Sequence, residues 1–127
     1  MEGVKISKLK PVHLDERGEI WDLLNEKVEH VGFLTSKKGS LRGNHYFKTS
    51  KRYAYIWEGK YKIAFAHADK PDEIEEIILD KGHLIEISPN IIHTFIAMED
   101  SILLGLDTTS RANDGYDKEM VRINIVK

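Results

Sequence analysis

The sequence of 127 residues contains no cysteine, only three prolines and a net charge of just −2. Without cysteine, the chain has neither disulfides nor thiolate metal ligands. No apolar run approaches the roughly 20 residues that a membrane helix needs. Because the net charge is small and negative, it gives no electrostatic basis for binding nucleic acid or an anionic membrane.

The amino terminus lacks the apolar segment of a signal peptide, since it begins Met1-Glu2-Gly3-Val4-Lys5. We therefore expect a cytoplasmic protein. The length fits a single domain over residues 1–127. The chain is long enough to form a hydrophobic core and too short to form two domains.

The chain does contain many short segments rich in β-branched and aromatic residues, separated by turn signals such as Ser88-Pro89-Asn90. Such spacing predicts an all-β sandwich or barrel. The predicted strands cover residues 4–9, 19–24, 29–35, 41–47, 53–57, 61–66, 83–87, 91–96, 101–106 and 120–125. Residues 72–79 fit either a helical turn or an edge or hairpin strand with outward charges, and their neighbours favour the strand. Residues 110–118 lack apolar periodicity and are predicted as a loop.

Two of the predicted strands each carry one histidine among apolar residues. In the first, side-chain alternation directs one set of residues inward, namely Leu41, Gly43, His45 and Phe47. The opposite set is Arg42, Asn44 and Tyr46. In the second strand, His93 shares the inward face with Ile91 and Phe95. Two inward histidines can line one pocket, and the alternative for each is a core histidine that donates to a backbone carbonyl.

The spacing around these histidines resembles the two cupin motifs, matched by Gly39, His45 and Gly59 and by Gly82 and His93. Phe47 and Arg52 stand where a metal-binding cupin has a second histidine and a glutamate. A phenyl ring cannot ligate a metal, and a guanidinium repels a cation. We therefore expect no metal and no other cofactor, with a metal enzyme using two histidines as a minor alternative.

A narrower resemblance covers residues 13–95. Residues 13–22, 41–46 and 88–95 are similar to three motifs of the dTDP-4-dehydrorhamnose 3,5-epimerases. Residues 42–59 match the spacing of a motif in the related dTDP-sugar 3,4-ketoisomerases. The resemblance implies a cupin-type jelly-roll barrel. It also implies metal-free proton transfer on a dTDP-4-keto-6-deoxy sugar, in deoxysugar synthesis for surface polysaccharides.

The resemblance further implies roles for individual residues. His45 would remove a proton next to the C4 ketone, Arg52 would stabilise the enolate, and His93 would be a hydrogen-bonding partner in the pocket. The residues expected to bind the nucleotide sugar are Arg17, Arg42, Asn44 and Asp22. Asp107 is a candidate carboxylate partner for His45. The proton donor stays open among Tyr46, Tyr53, Tyr55, Tyr61 and Tyr116.

Two further expectations concern partners and the alternative to catalysis. An aromatic stripe shares one face of the strand after the first motif, formed by Lys51, Tyr53, Tyr55 and Trp57. Such a stripe is either core or a subunit interface, since aromatic residues are enriched at interfaces. The resemblance implies a homodimer. The alternative function is a cupin that binds a sugar or nucleotide sugar without turning it over, because Phe47 replaces one family histidine.

Overall fold

The computed structural model describes residues 1–126, which are mostly β-strand arranged in antiparallel sheets, as predicted. The strands are β1 (Val4–Lys8), β2 (His13–Asp15), β3 (Gly18–Ile20), β4 (His30–Ser36), β5 (Leu41–Phe47), β6 (Arg52–Glu58), β7 (Lys60–His67), β8 (Glu75–Asp80), β9 (His83–Ile87), β10 (Ile91–Ala97), β11 (Ser101–Asp107) and β12 (Met120–Arg122). A 3₁₀ turn (Ala112–Asp114) and a short helix, α1 (Gly115–Glu119), precede β12. Neither helical segment within residues 1–126 has the length and hydropathy to cross a bilayer.

Two five-stranded sheets carry the architecture. The first sheet has the order β1-β9-β6-β11-β4, and the second has the order β12-β5-β10-β7-β8. Strands β2 and β3 form a separate two-stranded hairpin. Because the chain crosses repeatedly between the two sheets, the topology is that of a jelly roll. The sheets are open rather than closed into one continuous ring of strands.

One hydrophobic core lies between the two sheets. Ile56 and Ile85 of the first sheet and Ile63 and Ile91 of the second are almost completely buried in the same cluster. Burial of each such side chain stabilises the fold by about 1.5–3 kcal/mol. The core therefore holds the two sheets together, and the remaining space between them is lined by both polar and apolar residues.

Three segments test the predicted boundaries. The edge strand predicted at residues 72–79 is confirmed as β8, at the border of the second sheet. The strand predicted at 19–24 is wrong beyond Ile20, because the pairing of β3 with β2 ends where Ile20 meets His13. The loop predicted at 110–118 contains the 3₁₀ turn and α1. These elements are too short, at three and five residues, to generate a helical periodicity.

Candidate active site

A cavity of about 490 Å³ opens between the two sheets. Residues of both sheets and of the carboxy-terminal segment line it. Its ionisable lining residues are His45, His93, Arg42, Arg52, Arg111, Arg122, Tyr53, Tyr61 and Tyr116. Among the residues that the structure describes, no carboxylate belongs to this lining. The cavity is therefore basic although the whole chain is slightly acidic.

A β-bulge in β5 brings its polar residues into the cavity. The register with β10 pairs His45 with His93 and Gly43 with Thr94, so Asn44 is the extra residue. Asn44 has φ +56°, and Gly43 has φ +114°. A Cβ on Gly43 would lie 2.5 Å from the His93 carbonyl oxygen, which requires glycine there.

The predicted alternation of side chains along β5 is wrong, because the bulge interrupts it. Strict alternation placed Arg42 and Asn44 on the face opposite His45, yet all three residues line the cavity. One inserted residue breaks the two-residue period of a strand, so neighbouring side chains turn to the same side. Arg42 then reaches the other sheet, where its Nη2 donates to the Thr35 carbonyl oxygen at 2.9 Å.

His45 and His93 form the centre of the site. Their ring centroids lie 4.8 Å apart with the rings nearly perpendicular. Nδ1 of His93 donates to the carbonyl oxygen of Ile91 at 3.1 Å, so the neutral ring carries its lone pair on Nε2. Nδ1 of His45 is buried without a hydrogen-bond partner, which leaves Nε2 as the nitrogen that a ligand can reach.

Both imidazoles are neutral at pH 7. Burial, followed by the positive charges of Arg52, Arg122 and Arg111, lowers the pKa of His45 to about 4. Burial, followed by the neighbouring His45 and Arg52, holds the pKa of His93 well below its ordinary value. An unprotonated imidazole beside fixed cations can accept a proton from a bound molecule.

Arg52 is held by a carboxylate and by aromatic rings. Its Nε lies 2.7 Å from Oδ1 of Asp107, and its Nη2 donates to Oδ2 at 3.3 Å. The guanidinium carbon lies 4.7 Å from the ring centroid of Phe47 and 6.0 Å from that of Tyr116. Asp107 therefore serves Arg52, and also His30, instead of the predicted partner His45. The reason is its place at the end of β11, directly between β6 and β4.

The donor set does not fit the metal site that cupins commonly carry. Phe47 and Arg52 occupy the space beside the two imidazoles, with the guanidinium packed on the phenyl ring. Within residues 1–126, no three side chains of His, Asp or Glu come together in a ligand geometry. Two imidazoles next to a permanent cation make a poor site for a divalent ion.

Other predicted binding residues lie outside the cavity or have different contacts. Asn44 lines the cavity, but its amide binds the carboxy-terminal segment. Its Oδ1 accepts from the backbone of Ile125 and Val126 at 3.0 and 3.1 Å, and its Nδ2 donates to the Val126 carbonyl oxygen. These bonds use the amide that was expected to contact substrate.

The predicted residues Arg17 and Asp22 are exposed and do not line the cavity. Arg17 lies in the turn of the β2–β3 hairpin, where its guanidinium donates to Asp15 at 2.7 Å. Hydrogen bonds from Arg17 and His13 lower the pKa of Asp15 to about 2. Within one chain, this arginine is paired with its own hairpin.

The carboxy-terminal segment supplies three lining residues that sequence reasoning missed, namely Arg111, Arg122 and Asn124. It also supplies Tyr116, one of the five candidate proton donors. The matched motifs end at residue 95, so no motif marks these positions, and the two arginines of the segment are the feature that could have indicated anion binding. Glu119 anchors the segment by accepting hydrogen bonds from Thr49 and Ser50. The guanidinium of Arg111 lies 4.0 Å from the ring centroid of Tyr116.

The open choice of a proton donor becomes narrower. Tyr46 and Tyr55 do not line the cavity, whereas Tyr53, Tyr61 and Tyr116 do. The hydroxyl of Tyr61 donates to Ser36 Oγ at 3.0 Å, and the hydroxyl of Tyr53 is buried without a partner.

The fold and the cavity define an all-β jelly roll of the cupin type. It is similar to QdtA, a sugar 3,4-ketoisomerase from Thermoanaerobacterium thermosaccharolyticum solved with TDP, with a TM-score of 0.78 and 21% identity over 96% of this chain and 89% of that one. It is also similar to dTDP-4-dehydrorhamnose 3,5-epimerase from Sulfolobus tokodaii, with a TM-score of 0.78 and 19% identity over 100% and 81% of the two chains.

A third similar structure is ChmJ, a 3′-monoepimerase from Streptomyces bikiniensis in complex with dTDP-quinovose. The TM-score is 0.80 at 18% identity, over 97% of this chain and 70% of that one. No family model matches the sequence, and no curated protein matches it. The structural similarity therefore confirms the predicted cupin fold. At these sequence identities it shows the fold and not the activity.

Proposed function

We propose that this protein isomerises a nucleotide-linked 4-keto-6-deoxy sugar by proton transfer at His45. The observation that carries the proposal is a neutral pair of imidazoles in a cavity with four arginines and no lining carboxylate among the described residues. Isomerisation of a keto sugar requires a base that removes a proton, and binding of its diphosphate requires positive charges. The similar structures include a variant of QdtA in complex with TDP-4-keto-6-deoxyglucose.

The reaction uses His45 as the base. Nε2 accepts a proton from the carbon next to the C4 ketone, and the electrons of that C–H bond form an enolate. Arg52 stabilises the negative charge that develops on the C4 oxygen. Return of a proton to the same carbon from the opposite face gives an epimer. If the proton returns to C4 instead, and the proton of the C3 hydroxyl moves to the C4 oxygen, the product is the 3-keto isomer.

The diphosphate binds to arginines at the cavity wall. Arg42, Arg111 and Arg122 all line the cavity, and no carboxylate among residues 1–126 forms a salt bridge with any of them. A guanidinium fork matches phosphate oxygens in a bidentate manner. These three arginines therefore favour the binding of a dianionic ligand over the binding of a neutral sugar.

The direct test is incubation with dTDP-4-keto-6-deoxyglucose in deuterated water. We expect deuterium at C3 or C5, or a new keto isomer, and a loss of about 10²–10⁴-fold in the His45→Asn variant. His67→Asn is the matched control, because His67 lies at the end of β7 and does not line the cavity. No deuterium and no product would contradict the proposal.

A binding protein without turnover is the second candidate. Nδ1 of His45 lacks the carboxylate that usually orients a histidine base. Stabilisation of the fold by TDP in a thermal-shift measurement, together with no exchange of deuterium, would favour this candidate.

We also propose a homodimer formed through the outer face of the first sheet. Tyr53 and Tyr55 are buried within the chain, but Val31, Phe33 and Trp57 remain 62%, 71% and 51% exposed on this sheet. Large exposed apolar side chains on one sheet favour a partner surface. With a nucleotide sugar as its substrate, the protein would act in the cytoplasm in deoxysugar synthesis for surface polysaccharides. Light scattering of the Phe33→Glu variant tests the dimer, with a monomeric mass as the expected result.

A further inference from the structure

Asp107 is a buried carboxylate at the centre of a row of charged and polar residues across three strands. The register pairs it with Arg52 on β6 and with His30 on β4. Oδ2 of Asp107 lies 3.0 Å from Nδ1 of His30 and 3.3 Å from Nη2 of Arg52. Oδ1 lies 2.7 Å from Nε of Arg52 in an ion-pair contact, and it accepts no hydrogen bond from the residues that the structure describes. Each strand of the row therefore contributes one side chain to a single linked group.

The backbone around the row is also fixed on both sides. The amide of Glu29 donates to the Asp107 carbonyl oxygen at 2.9 Å, and the amide of Thr108 donates to the Lys51 carbonyl oxygen at 3.1 Å. Since Asp107 is only 5% exposed, water does not compete strongly for its oxygens. The carboxylate is thus a rigid support for whatever it binds.

Arg52 projects from this support into the cavity. Asp107 holds the edge of the guanidinium, and the Phe47 ring lies 4.7 Å from its carbon atom. A long arginine side chain otherwise loses rotamer entropy when a ligand orders it. Contacts on its edge and on its face supply that order before any ligand arrives.

We propose that Asp107 and His30 are positioning residues, which hold the guanidinium of Arg52 as a preorganised cation at the His45 site. The inference depends on the proposed function, because the held cation stabilises the enolate oxygen. Fixed charges stabilise a transition state without reorganising during the reaction. His30 acts one step further away, by holding the Asp107 carboxylate in the orientation that faces Arg52.

The test compares kcat and KM of Asp107→Asn with those of the unaltered enzyme. We expect kcat to fall about 10–100-fold, in line with a disturbed electrostatic contact, while KM changes less than about threefold. The diphosphate contacts proposed for Arg111 and Arg122 remain, which is why binding is spared. His30→Asn loses one hydrogen bond and should show a smaller loss in the same direction. Glu86→Gln on β9 is the control, since Glu86 does not line the cavity.

A double variant separates positioning from a general effect on the fold. If Asp107 acts through Arg52, Arg52→Gln with Asp107→Asn should be no slower than Arg52→Gln alone. Losses that multiply in the double variant would overturn the proposal. So would an Asp107→Asn enzyme with unchanged kcat.

The NMR signal of the Arg52 Nη2 amino group, which donates to Asp107 Oδ2, provides a readout that does not need turnover. In the unaltered protein it should be sharp and slow to exchange, and in Asp107→Asn it should shift and broaden. If the unaltered protein turns over no 4-keto sugar, the proposed function fails and this signal alone decides the positioning. An Arg52 signal that is identical in both proteins would overturn it.

Discussion

His45 on β5 lies directly opposite His93 on β10, and the two ring centroids are 4.8 Å apart. The pair joins two strands of one sheet across the bulge at Asn44. Arg52 and Phe47 fill the space that further ligands would need in a metal-binding cupin. Phe47 and Arg52 thus disfavour a metal, and they place the neutral imidazole of His45 near the fixed positive charge of Arg52.

The stability of the fold should depend on the ionisation of His45. Its folded pKa of about 4 lies below the ordinary value of 6.5, so the unfolded chain binds a proton that the folded chain does not. The stabilising contribution is complete above pH 6.5 and is lost as pH falls towards 4. For His45 alone the loss between pH 7.5 and pH 4.5 is about 2.5 kcal/mol. Urea unfolding at pH 7.5 and pH 4.5 measures it.

His45→Gln should reduce this pH dependence, and His67→Asn should leave it unchanged. His93 shifts in the same direction, so some dependence should remain in the His45 variant. An unfolding free energy that is flat between pH 7.5 and pH 4.5 would contradict the neutral state of both imidazoles.

Arg111 and Arg122 should contribute to TDP binding. Hydrogen bonds to charged groups contribute about 1.5–3 kcal/mol, so Arg111→Gln and Arg122→Gln should each raise the Kd about 10–100-fold. Isothermal titration calorimetry measures the change. Lys62→Gln is a suitable control, because Lys62 pairs with Glu76 on the second sheet and does not line the cavity.

The same calorimetric titration tests Arg17, which was predicted to bind the nucleotide sugar and lies in the β2–β3 hairpin. Arg17→Gln should change the Kd less than either cavity variant if the diphosphate binds only residues of one chain. A larger effect of Arg17→Gln would show that the hairpin of a second copy completes the site.

Phe47→His combined with Arg52→Glu should create a metal site. With His45 and His93, the double variant would carry the four ligands of the cupin motifs. The rings now at His45, Phe47 and His93 have centroids 4.8–6.1 Å apart. We expect retained zinc after dialysis. At a free metal concentration of 100 times Kd, the fold should gain about 2.7 kcal/mol. Phe47→His alone should bind weakly because the guanidinium remains, and equal affinity would show that Arg52 is no barrier.

Asn44 should control the order of the carboxy-terminal segment. Asn44→Gly keeps the backbone freedom needed at φ +56° but removes the amide that binds Ile125 and Val126. Hydrogen exchange at these two amides should accelerate, and TDP should bind more weakly because Arg122 and Asn124 belong to the same segment. Asn44→Ala should be less stable than Asn44→Gly, since alanine adds backbone strain. Unchanged exchange at Ile125 and Val126 would show that the Asn44 amide does not hold this segment.

Sequence reasoning succeeded where local pattern decides structure. The strands predicted at 83–87 and 91–96 agree closely with β9 and β10, because turn residues delimit short apolar segments. It failed for Arg42 and Asn44, since one bulge changes the facing of a strand without any periodic signal. It also assigned Asp107 to His45, because a carboxylate at the end of a strand has several neighbours that only the register distinguishes.

The sequence by itself determined the all-β class, the two histidine segments and the two residues that disfavour a metal. Each of these depends on residue type and short-range spacing. Only the tertiary structure decided that Arg111, Tyr116 and Arg122 line the cavity and that Asp107 serves Arg52. Those contacts join residues far apart in the chain, and the sheet pairing that brings them together is not written in any local pattern.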